Sequence, residues 1–168
     1  MDSTNIEKKL AEIVIQNELY LGTAESCTGG LIANRITDIP GSSAYFLGGM
    51  VTYSYPSKMQ WLGVREETLN KYGAVSRETV VEMADGLAQR LGTICDRNRL
   101  LTISVSGIAG PDGGTPAKPV GFVWIGWCFD HQIRATSFQF QGDRISIKNQ
   151  SADQALLGAY TWLSEHFK

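Results

Sequence analysis

The sequence predicts a three-layer α/β/α sandwich built on a mixed, mostly parallel sheet that contains one antiparallel hairpin. Three observations lead there. Apolar residues at helical spacing take turns along the chain with short β-rich runs. The run VGFVWIGWCF at 120–129 is apolar on both faces. Only Asp130-His131-Gln132 separates it from the next β-rich run. Alternating helix and strand signals select an α/β domain. A strand apolar on both faces needs cover on both sides, and so short a separation suits a hairpin rather than a crossover.

Taken in order, Thr4 followed by Glu7 forms a capping box, and Ile6, Leu10, Ile13 and Val14 recur as the apolar face of a first helix. Leu19 to Ala24 is predicted as a short strand. Ser26-Cys27-Thr28-Gly29-Gly30 then breaks the apolar pattern, and Leu31, Ile32 and Ile36 resume it in a short helix that ends near Pro40. Gly49 to Ser54 reads as a second strand. Ser76 caps a helix whose core face is Val80, Met83, Ala84, Leu87 and Leu91. Leu100 to Ser106 is a third strand, and Val120–Phe129 with Ile133–Phe140 form the hairpin. In that hairpin Val123, Ile125 and Trp127 point one way and Phe122, Trp124 and Cys128 the other. A last helix runs from about Arg144 to His166 and buries Ala152, Ala155, Leu156, Ala159 and Leu163.

With 168 residues, 43% of them hydrophobic, the chain is long enough for one substantial core and short for two, so residues 1–168 are expected to form one domain. Fifteen basic and seventeen acidic side chains leave a net charge of -2 with no basic run, which argues against nucleic acid as a partner. No window approaches a membrane span and the N-terminus lacks an apolar leader, so a cytoplasmic protein without a membrane partner is expected. The three cysteines, Cys27, Cys95 and Cys128, are far apart and form no CxxC, which fits reduced thiols rather than a disulfide framework or a zinc site. A small α/β protein this rich in aromatic residues is expected to self-associate, a dimer being the simplest form.

The chemistry has to work almost without imidazole. The two histidines are His131, in the hairpin turn, and His166, two residues from the end, and neither lies on a motif; a Ser-His-Asp triad and a clustered metal site are both disfavoured. Neither a metal nor a cofactor is required. The loop SGIAGPDGG at 106–114 follows a strand and is rich in unshielded backbone N–H groups, the make-up of an anion cradle, but its glycines fit neither a Walker loop nor GxGxxG. As plain structure it is a long connection with a turn at Pro111-Asp112-Gly113. Arg144 at the start of the last helix suits an anion clamp, or else Asp143 caps the helix and Arg144 is solvated. In TAESCTGG, Ser26, Cys27 and Thr28 occupy a strand-to-helix turn, but the flanking glycines of GxSxG are replaced by Ala24 and Thr28. Binding or oxyanion stabilisation fits that turn better than nucleophilic attack, and simple N-capping fits as well. Cys27 is better read as a buried, inert thiol than as an activated one.

The stretch GSSAYFLGGMVTYSYPSK at 41–58 offers a serine and a lysine. Ser42 or Ser43 capping a helical turn, and Lys58 in water, account for it without chemistry. For catalysis Lys58 must be neutral, and an ordinary lysine is neutral in only about one molecule in 2,500 at pH 7. Lowering its pKa to about 8 costs the charged form roughly 3 kcal/mol and demands burial; Tyr53, Tyr55, Pro56 and Trp61 are suitable neighbours. A desolvated lysine can then activate a hydroxyl without histidine.

AESCTGG, GSS, VTYS followed by Lys58, GAVS at 73–76, SVSGIAGPDGG, KPVG at 118–121 and GDR at 142–144 together resemble the CinA C-terminal domain family, in order and over nearly the whole chain. The resemblance implies a three-layer α/β/α fold and nicotinamide mononucleotide deamidase activity, by a metal-independent serine and lysine amidohydrolase that serves pyridine nucleotide recycling. It implies Ser43 as nucleophile, Lys58 as base and Tyr53 as their proton-relaying or orienting partner. Ser26, Ser106 and Arg144 fall on further motif positions expected to bind the nucleotide, and Thr28, Gly29, Gly30, Gly107 and Gly110 are the backbone donors expected beside them. Many members carry an additional N-terminal nucleotide-hydrolase domain; this chain starts at the C-terminal domain, so that second activity is not expected. Two alternatives stand beside this reading. One is a non-catalytic ligand-binding or competence-related interaction domain; the other is an amidohydrolase of another small amide with Ser26 or Cys27 as nucleophile.

Overall fold

The computed structural model describes residues 6–168, so the Thr4 end of the predicted capping box lies outside the described residues. Five strands, β1 (Tyr20–Glu25), β2 (Phe46–Val51), β3 (Leu100–Gly107), β4 (Phe122–Phe129) and β5 (Gln132–Gln139), form a sheet in the order β2-β1-β3-β4-β5. β1 pairs in parallel with both β2 and β3, whereas β4 is antiparallel to both β3 and β5. Four strands therefore run one way and β4 alone runs against them, the mostly parallel sheet with one hairpin that the sequence predicts. The hairpin turn places Asp130 (φ 48°) and His131 (φ 59°) in the left-handed region, the two-residue geometry whose twist matches paired strands.

Six helices cover the sheet: α1 (Ile6–Gln16), α2 (Leu31–Thr37), α3 (Tyr55–Leu62), α4 (Glu66–Tyr72), α5 (Arg77–Leu91) and α6 (Arg144–His166). Because side chains alternate along a strand, β3 and β4 serve both layers. Leu101, Ile103, Val105, Val123, Ile125 and Trp127 join Leu10, Val14, Ile32, Ile36 and Leu156 in one core beneath α1, α2 and α6. Each such side chain, fully buried, contributes about 1.5–3 kcal/mol. Trp127 also donates its indole N–H to Ala155 O at 2.8 Å, which fixes α6 across β4. On the other face Ala24, Leu62, Leu69, Met83 and Leu87 pack together, as do Ala84, Ala88, Leu100 and Cys128. The hydroxyls of Thr102 and Ser104 on this face are paired, donating to Ala84 O at 2.7 Å and Val80 O at 2.6 Å.

Three local readings change. The second strand is Phe46–Val51 rather than Gly49–Ser54. Ser54 belongs to the next element instead: it caps α3 in a reciprocal box with Ser57, with proline in the first turn. The helix α3 is not evident in the sequence because it directs a lysine, Lys58, into the protein, and an apolar-face count reads that position as solvent; α4, seven residues long with only Thr68 and Leu69 buried, is too short to show a period. The C-terminal end of α3 lies hard against α5, since a Cβ at Gly86 would stand 1.7 Å from Leu62 O. Finally, Ser42–Ala44 is a 3-10 turn whose N-cap is Gly41, with no side-chain cap bond from a serine. Among the described residues no helix is long and apolar enough to cross a membrane.

Candidate active site

At the carboxyl end of β1 the chain runs through Ser26–Gly30 into α2. Glu25, 1% exposed, accepts backbone N–H bonds from Gly30 (3.0 Å), Ile32 (3.1 Å) and Ala33 (2.8 Å). A carboxylate at a helix N-terminus suits both the orphan amides and the helix dipole. This corrects two readings of the turn. Neither Ser26 nor Thr28 caps α2, whose N-cap is Gly30 in the left-handed region with no side-chain cap bond. The amides of Gly30 and the first turn are also already satisfied from within. Among the described residues the amides of Cys27 and Thr28 have no such acceptor, and the Thr28 hydroxyl is buried without a partner.

Ser26 is tied to β3 through its own amide, which donates to Val105 O at 3.0 Å. Its hydroxyl meets Lys58. Side chains on a helix lean toward its N-terminus, and on α3 this carries the Lys58 ammonium back to Thr52 O at 2.6 Å and Ser26 Oγ at 2.9 Å. Lys58 is 1% exposed, and burial lowers its pKa from 10.5 to about 8. Cys27 offers no counter-charge in neutral solution, because burial pushes its thiol up to about 12. It is the inert thiol that the sequence suggests.

Ser43 is not part of this arrangement. It is exposed, three residues before β2, while Thr52 and Lys58 follow that strand. From Tyr45 O, bonded to Leu21 N, to Thr52 N, bonded to Glu25 O, the chain runs the length of the sheet, roughly 20 Å at strand rise. The expected pairing of Ser43 with Lys58 is therefore corrected: the serine at Lys58 is Ser26. A cavity of about 210 Å³ does lie at the Ser43 end, lined by Leu19, Tyr20, Ala44, Tyr45 and Arg99, but no buried amine opens on it.

Tyr53 also sits differently. It is 61% exposed, and its hydroxyl accepts from Arg144 Nη2 at 2.8 Å rather than contacting the Ser26–Lys58 pair. Arg144 opens α6, where Asp143 is the N-cap and accepts from Ser146 N at 2.8 Å. The other arm of the guanidinium donates to Gly110 O at 2.6 Å, so Arg144 links the 106–114 loop to the segment after β2. Ser106 is buried at the end of β3, next to the Val105 carbonyl that holds Ser26, and Gly107 is needed where a Cβ would approach Val123 to 2.5 Å. The structure thus gathers Ser26, Thr28, Gly29, Gly30, Lys58, Ser106, Gly110, Tyr53 and Arg144 at one end of the parallel strands, where open α/β sheets bind ligands.

Glu25 and Thr52 are the residues that the sequence reading missed. Glu25 had a signal, a single charge closing the otherwise uncharged strand YLGTAE; Thr52 had none, since it acts through its carbonyl. Among the described residues no group of three or more His, Cys, Asp or Glu side chains is placed to hold a metal ion.

This is an α/β/α domain with a buried serine and lysine pair at the carboxyl ends of its parallel strands. The CinA C-terminal domain family model matches residues 3–163, and the chain belongs to that family. A CinA-like protein of Chloroherpeton thalassium is 48% identical over 155 residues, covering 90% of this chain and 36% of that protein. The chain thus spans little more than a third of the length of the curated relatives it matches. Among solved structures, a competence-damaged protein (CinA) superfamily protein from Klebsiella pneumoniae superposes with a TM-score of 0.90 at 33% identity, covering 98% of this chain and 99% of its own. The competence/damage inducible protein of Agrobacterium tumefaciens gives 0.82 at 38% identity, with coverage of 93% and 95%.

Proposed function

We propose that this chain is an amidohydrolase that releases ammonia from nicotinamide mononucleotide, with Ser26 as nucleophile and Lys58 as its base. The observation that carries the reading is the 2.9 Å contact between Ser26 Oγ and Lys58 Nζ, with the amine almost wholly removed from water. A neutral amine has two hydrogens and one lone pair. One hydrogen suits Thr52 O, and the lone pair is left for the Ser26 hydroxyl. With its pKa at about 8, the amine is neutral in about one molecule in eleven at pH 7, against roughly one in 3,000 at 10.5.

In the first step Ser26 Oγ bonds to the carboxamide carbon as Lys58 takes the serine proton. The carbonyl electrons move onto oxygen, where the free amides of Cys27 and Thr28 are the donors in reach of the turn. Collapse of this adduct breaks the C–N bond, Lys58 returns the proton to nitrogen, and ammonia leaves. Water then attacks the acyl-serine by the same proton route, freeing Ser26 and nicotinate mononucleotide. Arg144, held by Tyr53 and Gly110, stands for the anionic end of the substrate.

The test is ammonia release from nicotinamide mononucleotide by purified wild type, Ser26→Ala, Lys58→Ala and Ser43→Ala. Ser26→Ala and Lys58→Ala should each lose about 10³-fold or more in turnover while staying folded, and Ser43→Ala should keep the wild-type rate. Inactive wild type removes the substrate assignment; loss confined to Ser43→Ala removes Ser26 from its role. The names of the structural neighbours and the closed setting of Ser26, 8% exposed, favour a second reading, a non-catalytic competence-related domain, under which Ser26→Ala changes no biological role.

A further inference from the structure

Helix α6 begins with an electrostatic arrangement that stability does not explain. Its first turn holds no acidic residue; instead Arg144 stands at its first position and Lys148 one turn further on. Positions four apart lie on the same helix face, where like charges repel, and cations at a helix N-terminus oppose the dipole. The Asp143 carboxylate accepts from Ser146 N as the N-cap and, among the described residues, forms no ion pair with Lys148. Among the described residues Lys148 makes no hydrogen bond and no ion pair, although it is half-buried.

The Lys148 ammonium points at the turn that follows Ser26. An ideal Cβ built at Gly29 would lie 3.7 Å from Lys148 Nζ, so the ammonium faces Gly29 across the space a side chain would fill, and Gly29 is held in the left-handed region at φ 64°. Gly29 N bonds to Ser26 O at 3.0 Å, closing a turn whose ends lie within about 7 Å of each other. One helix face thus sends two cations toward this end of the sheet, Lys148 to Gly29 of the turn and Arg144, which bridges Tyr53 and Gly110, near enough to act on the Cys27 thiol. Neither hydrogen-bonds the Ser26 hydroxyl, whose partner is Lys58. A mononucleotide has this layout, with its reacting base at one end and a dianionic phosphate on the far side of the ribose.

We infer that Lys148 is a substrate-binding residue that meets a sugar phosphate together with Arg144. This rests on the amidohydrolase reading for its substrate, but the cation pair can be tested apart from turnover. Ribose 5-phosphate supplies the sugar phosphate without the amide. Calorimetric titration of wild type, Lys148→Arg and Lys148→Met with ribose 5-phosphate should show binding weakened about tenfold or more in Lys148→Met and largely kept in Lys148→Arg. In turnover assays Lys148→Met should raise KM for nicotinamide mononucleotide by a similar factor, leave kcat within about threefold, and leave hydrolysis of the phosphate-free nucleoside unchanged. Equal ribose 5-phosphate binding by wild type and Lys148→Met, or no binding by wild type at millimolar concentration, overturns the inference. Weakened sugar phosphate binding in Lys148→Met alongside an inactive wild type would leave the anion site standing and remove the deamidase reading instead.

Discussion

Lys58 Nζ and Ser26 Oγ, 32 positions apart in the chain, are 2.9 Å apart in space. Two elements make the meeting: the turn at the end of β1 sets the hydroxyl, and the first turn of α3 sends the amine back beneath it. Burial of the amine lowers the proton affinity that would otherwise keep the nitrogen charged.

The activity should therefore follow the titration of Lys58. From pH 6 upward, kcat/KM for nicotinamide mononucleotide should rise about tenfold per pH unit and level off near the lowered value of about 8. A plateau already reached at pH 6.5, or a rise continuing past pH 10, would show that another group controls the rate.

Stability should carry the same signature with a definite sign. The unfolded chain holds the Lys58 proton up to about 10.5, while the folded protein releases it at about 8. Between those values the unfolded state binds more protons, so this group makes the fold more stable as pH rises from about 8 to 10.5, and its burial penalty of roughly 3 kcal/mol is fully felt below 8. Lys58→Met has no such titration. Urea unfolding of both proteins at pH 7 and pH 10 should show the difference between them moving in favour of wild type by roughly 2–3 kcal/mol.

Tyr53 separates positioning from proton transfer. Its hydroxyl accepts from Arg144, so Tyr53→Phe should raise KM for the nucleotide several-fold and leave kcat within about threefold. A relay through Tyr53 would instead cost kcat about 10² or more. Steady-state kinetics on this single variant decide between them.

Glu25 should matter to α2 as a whole. Glu25→Gln keeps the size of the side chain but replaces one accepting oxygen by an NH₂ facing amides, and should cost about 1–3 kcal/mol. Hydrogen exchange should accelerate at Ile32 and Ala33, whose amides the carboxylate accepts. Unchanged exchange there would mean that water replaces the carboxylate without loss.

The layered fold was legible because its signals are periodic. Val123, Ile125 and Trp127 on one side of β4 and Cys128 on the other follow from alternation alone, and α6 shows an apolar stripe long enough to define its ends. The site was legible in composition but not in pairing. A buried lysine looks like a surface lysine to any reading based on hydrophobicity, and this also concealed α3. The choice of Ser43 conflicts with the topology: a strand between two residues delivers them to opposite ends of the sheet, and β2 lies between Ser43 and Lys58. Ser26 and Thr52 reach the same end because each comes directly after its own strand, β1 and β2, and those strands run in parallel.

If Lys58 is the base proposed above, its dependence on α3 for a dry setting gives heat a separate route to inactivation. A helix of eight residues is marginal without its tertiary contacts, and short segments open at free energies well below that of the whole domain. Under the proposed mechanism each such opening would readmit water to the amine, which would recover its proton and stop acting as a base while the sheet is still intact. Turnover should then decline at temperatures below the calorimetric melting point and return on cooling, the working range being set by the fraying of one short helix rather than by the melting of the core.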